Sequence, residues 1–205
     1  IKPEGSLEAV PEIAFFARDL RARFIEKFPG IDVYLNGSVP INMAFVEIPT
    51  NDVMTLVPLM FLFILLILGI SLRSLSGTIA TLSVIIMSVA TAMGLAGWAG
   101  AILMPSSETA IVIILTLSVA HSVHILASLR LNMQAGMEKN PALVEALRIN
   151  MSPVFITSVT TAIGFLCMNF SDAPPFQLLG NIVAVGVMAA FFLSVTFLPA
   201  LIAIL

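Results

Sequence analysis

IVIILTLSVAHSVHILASL, residues 111–129, contains no Asp, Glu, Lys or Arg. A helix needs roughly 20 apolar residues to cross the hydrocarbon core of a bilayer, so this run reads as a membrane span. His121 and His124 sit in its second half and are the chain's only histidines. Titratable side chains are expensive in hydrocarbon and mark functional sites there. Imidazole is also the side chain whose unperturbed pKa lies nearest physiological pH. The fold class and the candidate site therefore come from the same run.

Composition extends this reading to the whole chain. The 205 residues are 59% hydrophobic and 10% charged, with a mean hydropathy of +1.09. A soluble domain carries roughly 25% charged residues. The spacing predicts five spans, at 53–72, 77–104, 108–129, 152–170 and 176–205, together forming a transmembrane domain over 41–205. An amphipathic lead, Ile41–Asp52, continues the first span outward. The expected fold is an all-α polytopic membrane bundle with a short α/β remnant of an extramembrane domain over residues 1–40. In that remnant Ser6–Phe28 has helical spacing, Pro29-Gly30 stops it, and Ile31–Asn36 alternates as a strand does. One helix and one strand cannot bury a core alone. The chain opens on Ile1 and closes inside an apolar run, so it is expected to be a piece of a larger protein.

Charge placement orients the bundle. Arg73 follows the first span, and Arg130, Lys139 and Arg148 lie in the loop 130–150. Pro105–Ser107 and Ser171–Pro175 contain no Lys or Arg and are edged by Glu108 and Asp172. The positive-inside rule then puts 130–150 and the C-terminus in the cytoplasm and the N-terminal segment outside. Asn140-Pro141 reads as a helix start, and Leu143, Ala146 and Leu147 fit an interfacial amphipathic helix. No basic patch suggests nucleic acid.

Ser118, His121, His124 and Ser128 are spaced +3, +3, +4 and share a face of the third span. A polar stripe on a span points into the bundle. It could serve chemistry, or it could simply hydrogen-bond neighbouring helices. His124 could also lie near enough to the cytoplasmic interface to be wet. The fourth span carries Thr157, Ser158, Thr160 and Thr161, whose hydroxyls either bond back to their own helix or meet the histidine stripe. The second span carries small residues at helical spacing, Ala90 and Gly94, then Ala92, Ala96 and Gly100, as close helix packing requires. Two histidines at i,i+3 fall short of the three or four protein ligands zinc takes, and the acids lie only at span edges, so no metal is expected. No Gly-x-Ser-x-Gly elbow or triad is present. The single Cys167 excludes an internal disulfide and reads as a packed thiol. No enzyme activity and no cofactor are expected.

Three stretches carry a family resemblance. LRSLSGTIATL (72–82) resembles the turn from the second to the third helix of an RND-superfamily permease. ITSVTTAIGFLCMNFSDAPPFQLLGNIVAVGV (156–187) resembles that family's TSLTTAIGF stretch and the serine, proline and glycines that follow it. FLPALIAIL (197–205) resembles the end of its sixth helix. The chain is similar to helices two to six of one half, closest to the MMPL-type and hydrophobe-exporter branch. The same five-helix unit is called the sterol-sensing domain in Patched and Niemann–Pick-type proteins. The resemblance implies a missing first helix, a missing second half of the same permease, an inner-membrane location, and a homo-oligomer. It also implies proton-driven export of a hydrophobic small molecule or lipid. The competing expectation is a sterol-sensing-type module that binds membrane lipids and regulates without transport. In the family's fourth helix the motif resembles G-(I/V)-A-D-S-(V/I)-H-(I/L), where this chain has Ser118-Val119-Ala120-His121-Ser122-Val123-His124-Ile125. His121 stands where the proton-carrying aspartate usually sits, and His124 matches the family's histidine. The resemblance leaves three roles for His121: it carries the proton itself, it pairs with an acid from the missing half, or this half has lost coupling. His121, His124, Ser118, Thr157 and Thr161 form the expected relay.

Overall fold

The computed structural model describes residues 9–72, 74–101 and 105–205, and seven α-helices fall within them. These are α1 (Ala9–Lys27), α2 (Ser38–Leu72), α3 (Leu75–Trp98), α4 (Pro105–Gln134), α5 (Lys139–Leu166), α6 (Pro174–Val195) and α7 (Phe197–Ile204), with a 3-10 turn at Cys167–Phe170. The all-α expectation holds for the described residues. The chain divides into two units, Ile1–Leu56 and Val57–Leu205.

The first unit departs from the sequence reading. α1 ends at Lys27, just before Pro29-Gly30, and Gly30 takes a φ of 116° that a side chain would strain. Ile31–Asn36, expected as a strand, forms no ladder. A strand needs a neighbour to pair its backbone groups. Here the Val33 carbonyl instead accepts from Arg21 Nε at 2.6 Å. The α/β remnant is therefore not seen among the described residues. Arg18 holds Glu47 through two parallel bonds of 2.6 Å, linking α1 to the start of α2. That hydrogen bond, reinforced by the guanidinium charge, keeps the Glu47 carboxyl below the usual carboxylate range.

In the second unit four helical stretches are long and apolar enough to cross a membrane: Leu75–Trp98, Ser107–Gln134, Lys139–Phe170 and Pro174–Ile204. The expected first span lies within α2, with Met54–Ile70 as its apolar stretch among the described residues. Four spans rather than five thus meet the criterion among the described residues. The end of the expected second span, 102–104, lies outside them. The loop 130–150 also differs from its expectation. α4 runs on to Gln134, a turn follows at Gly136 (φ 93°), and α5 starts at Lys139 and continues through Pro153 to Leu166. The interfacial helix and the fourth span are one continuous helix. Proline at its third residue is harmless, because the first-turn amides have no intrahelical partner. The fifth span breaks at Thr196, whose φ of −115° separates α6 from α7. Pro199 explains the break, since its ring conflicts with the carbonyl four residues earlier, that of Val195.

α6 is central and packs on α3, α4 and α5. Two glycines permit its close approach. A Cβ on Gly180 would run into the Phe165 carbonyl oxygen, and one on Gly186 would run into Ile114 on α4 and stand 3.0 Å from Ala92 on α3. Of the two small-residue faces of α3, the one bearing Ala92 and Ala96 packs inward, while Ala90 and Gly94 are exposed.

Candidate functional site

The helices of the second unit carry two separate apolar cores. One gathers Leu68, Ala80, Val84, Ile125, Leu126, Leu129, Ala142, Ala146, Leu198 and Ile202. The other gathers Ala92, Ala110, Ile114, Leu179, Ile182, Val183 and Val187. On each helix the residues between the two cores include a buried polar one: Ser88 on α3, Ser118, His121 and Ser122 on α4, Ser158 on α5, and Ser194 on α6. The bundle is therefore layered, apolar, polar, apolar, with the imidazole of His121 in the polar layer.

His121 is 2% exposed. Its Nε2 lies 3.3 Å from Ser158 Oγ. That hydroxyl donates its one proton to the Val154 carbonyl at 2.8 Å. A serine hydroxyl has a single proton, so toward the ring it acts as an acceptor. The hydrogen-bond network thus assigns the proton of the neutral ring to Nε2, leaving Nδ1 as a bare basic nitrogen. Nδ1 is buried and has no hydrogen-bond partner, and the same is true of Ser194 Oγ. Unpaired buried polar atoms are rare and call for an explanation. Each costs about 1–3 kcal/mol relative to a satisfied one. The other hydroxyls of the layer are satisfied by their own helices: Ser88 on Val84 O, Ser118 on Ile114 O and Ser122 on Ser118 O.

The structure separates the expected relay residues. Ser118 is buried one turn from His121 and bonds backward. His124 is exposed. Thr157 is exposed and donates to Pro153 O at 2.9 Å, and Thr161 is half-buried. A cavity of about 110 Å³ brings His121, His124 and Thr157 together with Leu117, Ala120, Asn150, Pro153 and Val154. Space of that size and polarity suits a few water molecules. Asn150 closes one side, donating to Ser128 Oγ at 2.7 Å and to Ala146 O at 2.8 Å. Ser158, one of the hydroxyls expected to meet the histidine stripe, does meet it, whereas Ser194 and Asn150 were not among the expected site residues. No group of three His, Cys, Asp or Glu that could hold a metal gathers among the described residues. Cys167 is a free, exposed thiol rather than a packed one.

The sequence profile of the MMPL family matches residues 5–205. The chain belongs to the MMPL family. It is also 26% identical over 176 residues to a Methanocaldococcus jannaschii protein named only as a membrane protein. That match takes in 86% of this chain and 45% of the relative, so the chain spans under half that protein's length. Membership agrees with the four apolar helices and makes this a multi-pass membrane protein of a permease family. Within the MMPL fold it is the Gly180 and Gly186 contacts that set α6 against the helices bearing the polar layer.

Proposed function

We propose that the chain is the membrane portion of a proton-driven exporter of hydrophobic or lipid-like compounds, with His121 as the group that takes and releases the proton. Support comes first from the bare Nδ1 of a buried imidazole held at Nε2 by Ser158. A nitrogen with a free lone pair in a serine-lined layer is a proton acceptor waiting for its proton. His124, Thr157 and the 110 Å³ cavity give that proton a hydrated approach, and Ser118 completes the polar surround. Thr161, one turn on from Thr157, is half-buried and is not among the residues lining that cavity.

Protonation at Nδ1 would create a buried cation. The buried polar residues are serines, one threonine, Asn150 and His121, with no carboxylate among those described. A buried charge needs a partner. We therefore assign the counter-charge to another part of the full-length permease, consistent with ion sites at repeat interfaces. Protonation would then bias the helices between two arrangements and reshape the extramembrane domain, of which residues 1–40 are a piece. Phe15, Phe16, Leu20 and Tyr34 are exposed on that piece. The loop after α4 is read as cytoplasmic, the first unit as external, and the membrane as the inner one.

The test is export of a fluorescent lipid-like compound from proteoliposomes holding the full-length protein under an imposed proton gradient. His121→Ala should abolish gradient-driven export, and His121→Asp should restore part of it. Unchanged export in His121→Ala would sink the assignment. A second reading, lipid sensing without transport, has its own observation: an apolar groove of about 370 Å³ between α3 and α6, lined by Leu95, Trp98, Leu178 and Ile182 among others. It predicts lipid binding in that groove that is indifferent to the proton gradient.

A further inference from the structure

Another cavity of the second unit lies apart from the polar layer. It measures about 420 Å³ and is lined by the start of α3, the end of α4, the start of α5 and Ile202 of α7. Its position relative to a bilayer follows from α3. That helix has 24 residues, or about 36 Å, and just crosses a hydrocarbon core of about 30 Å. Its two ends therefore lie at the two membrane surfaces. Trp98, 88% exposed, marks one surface, as interfacial tryptophans do. Ser74, Ser76 and Gly77 at the other end line the cavity, so the cavity opens at the opposite interface.

The lining is divided by chemistry. The floor is Leu126, Leu129 and Ile202, all members of the apolar core at that end. The rim carries Arg130, Lys139, Ser74 and Ser76, and no acid lines the cavity among the described residues. Lys139 is half-buried and pairs with no carboxylate among them. α3 begins in this rim: Ser74 caps it, accepting from the Gly77 amide at 3.3 Å and contacting Ser76 Oγ at 2.9 Å. A helix start adds a partial positive charge to that of the two side chains. The combination is an apolar floor below a cationic rim at the depth of lipid headgroups.

We propose that this cavity binds an anionic phospholipid of the adjacent leaflet. Its phosphate lies between Arg130 and Lys139 at the start of α3, and its acyl chains descend over Leu126, Leu129 and Ile202. Arginine suits the phosphate bidentately, and lysine serves as a point charge. A volume of about 420 Å³ is that of a ligand site rather than a packing fault. The acyl chains have a continuing apolar surface to follow, since Leu131, Met133 and Val144 are exposed at the same end. The site does not depend on His121 or on transport.

Native mass spectrometry of the detergent-purified full-length protein tests this, with phosphatidylglycerol as the probe and phosphatidylcholine as the neutral comparison. Phosphatidylglycerol should bind more tightly. The double variant Arg130→Gln, Lys139→Gln should lose roughly ten- to thirty-fold of that affinity, as expected for two cations at a charged membrane surface. Ser76→Glu is the independent variant. It places a carboxylate in the cavity while favouring the first turn of α3, so the fold is kept and phosphatidylglycerol should be excluded. Equal binding of the two lipids, or undiminished phosphatidylglycerol binding in Ser76→Glu, overturns the proposal. Displacement of phosphatidylglycerol by millimolar glycerol 3-phosphate would reassign the site to a soluble phosphate compound and overturn the lipid assignment.

Discussion

Replacing Gly180 by alanine should destabilise the bundle, although alanine is the better helix former. The added Cβ would meet the Phe165 carbonyl oxygen, a backbone atom with no rotamer to escape into, and would stand 3.1 Å from Met168 Cβ. α6 must then move away from the end of α5. Overpacking of this kind costs about 2–3 kcal/mol, offset by about 1 kcal/mol of helix propensity. The net loss is about 1–2 kcal/mol, or roughly 3–8 °C in Tm for a unit of this size. Gly164→Ala supplies the internal control. Gly164 lies on α5 with nothing within 4 Å of its would-be Cβ, so the same substitution gains the propensity without the clash. Thermal unfolding of the full-length protein in one detergent, followed by differential scanning calorimetry, compares the two. Opposite shifts are expected, with Gly180→Ala below wild type and Gly164→Ala level with it or above. A Gly180→Ala protein as stable as Gly164→Ala would refute the close-approach account of α6.

Other consequences can be checked separately. Ser158→Ala removes the hydroxyl at His121 Nε2 and should shift the ring's ¹⁵N resonances toward mixed tautomers, at a stability cost of about 1–2 kcal/mol. Asn150→Leu cuts the link from α5 to Ser128 and should cost about 1–2 kcal/mol by the same calorimetry, with Ser128→Ala costing less. The Glu47 carboxyl is held low by Arg18, so its pairing contributes stability above the unfolded carboxylate range. That contribution is lost as pH falls through the depressed folded value. NMR titration should find Glu47 below an ordinary glutamate in wild type and back in the ordinary range in Arg18→Gln.

Much of the bundle was legible because apolar runs of fixed length admit few alternatives. The stripe on α4 was legible in part. At 100° per residue the buried face, Ile114, Ser118, His121, Ser122, Ile125 and Leu129, centres near Ile125. His124 lies roughly a third of a turn from that centre, which is why it is exposed although it shares a polar stripe with His121. The partner of His121 was harder to see. Thr157 and Thr161 share a face, but the buried face of α5 steps through Val154, Ser158 and Ala162. Only three-dimensional packing selects that face among so many hydroxyls. Ile31–Asn36 has a strand's alternation but no strand to pair with among the described residues, and periodicity alone does not supply one. The expected loop 130–150 and the expected span 152–170 meet inside α5, which runs on through Pro153.

That join gives α5 a mechanical role. α5, Lys139–Leu166, is 28 residues, about 42 Å, against a hydrocarbon core of about 30 Å, so its first turns extend past the core into the headgroup layer. Those turns carry the Arg148–Glu145 clasp and Lys139 at the cavity rim, and the later ones carry Ser158. Pro153, which removes one backbone bond, stands between them as a joint. Whatever grips the first turns of α5 therefore acts, along one continuous helix, on the serine that contacts the imidazole of His121.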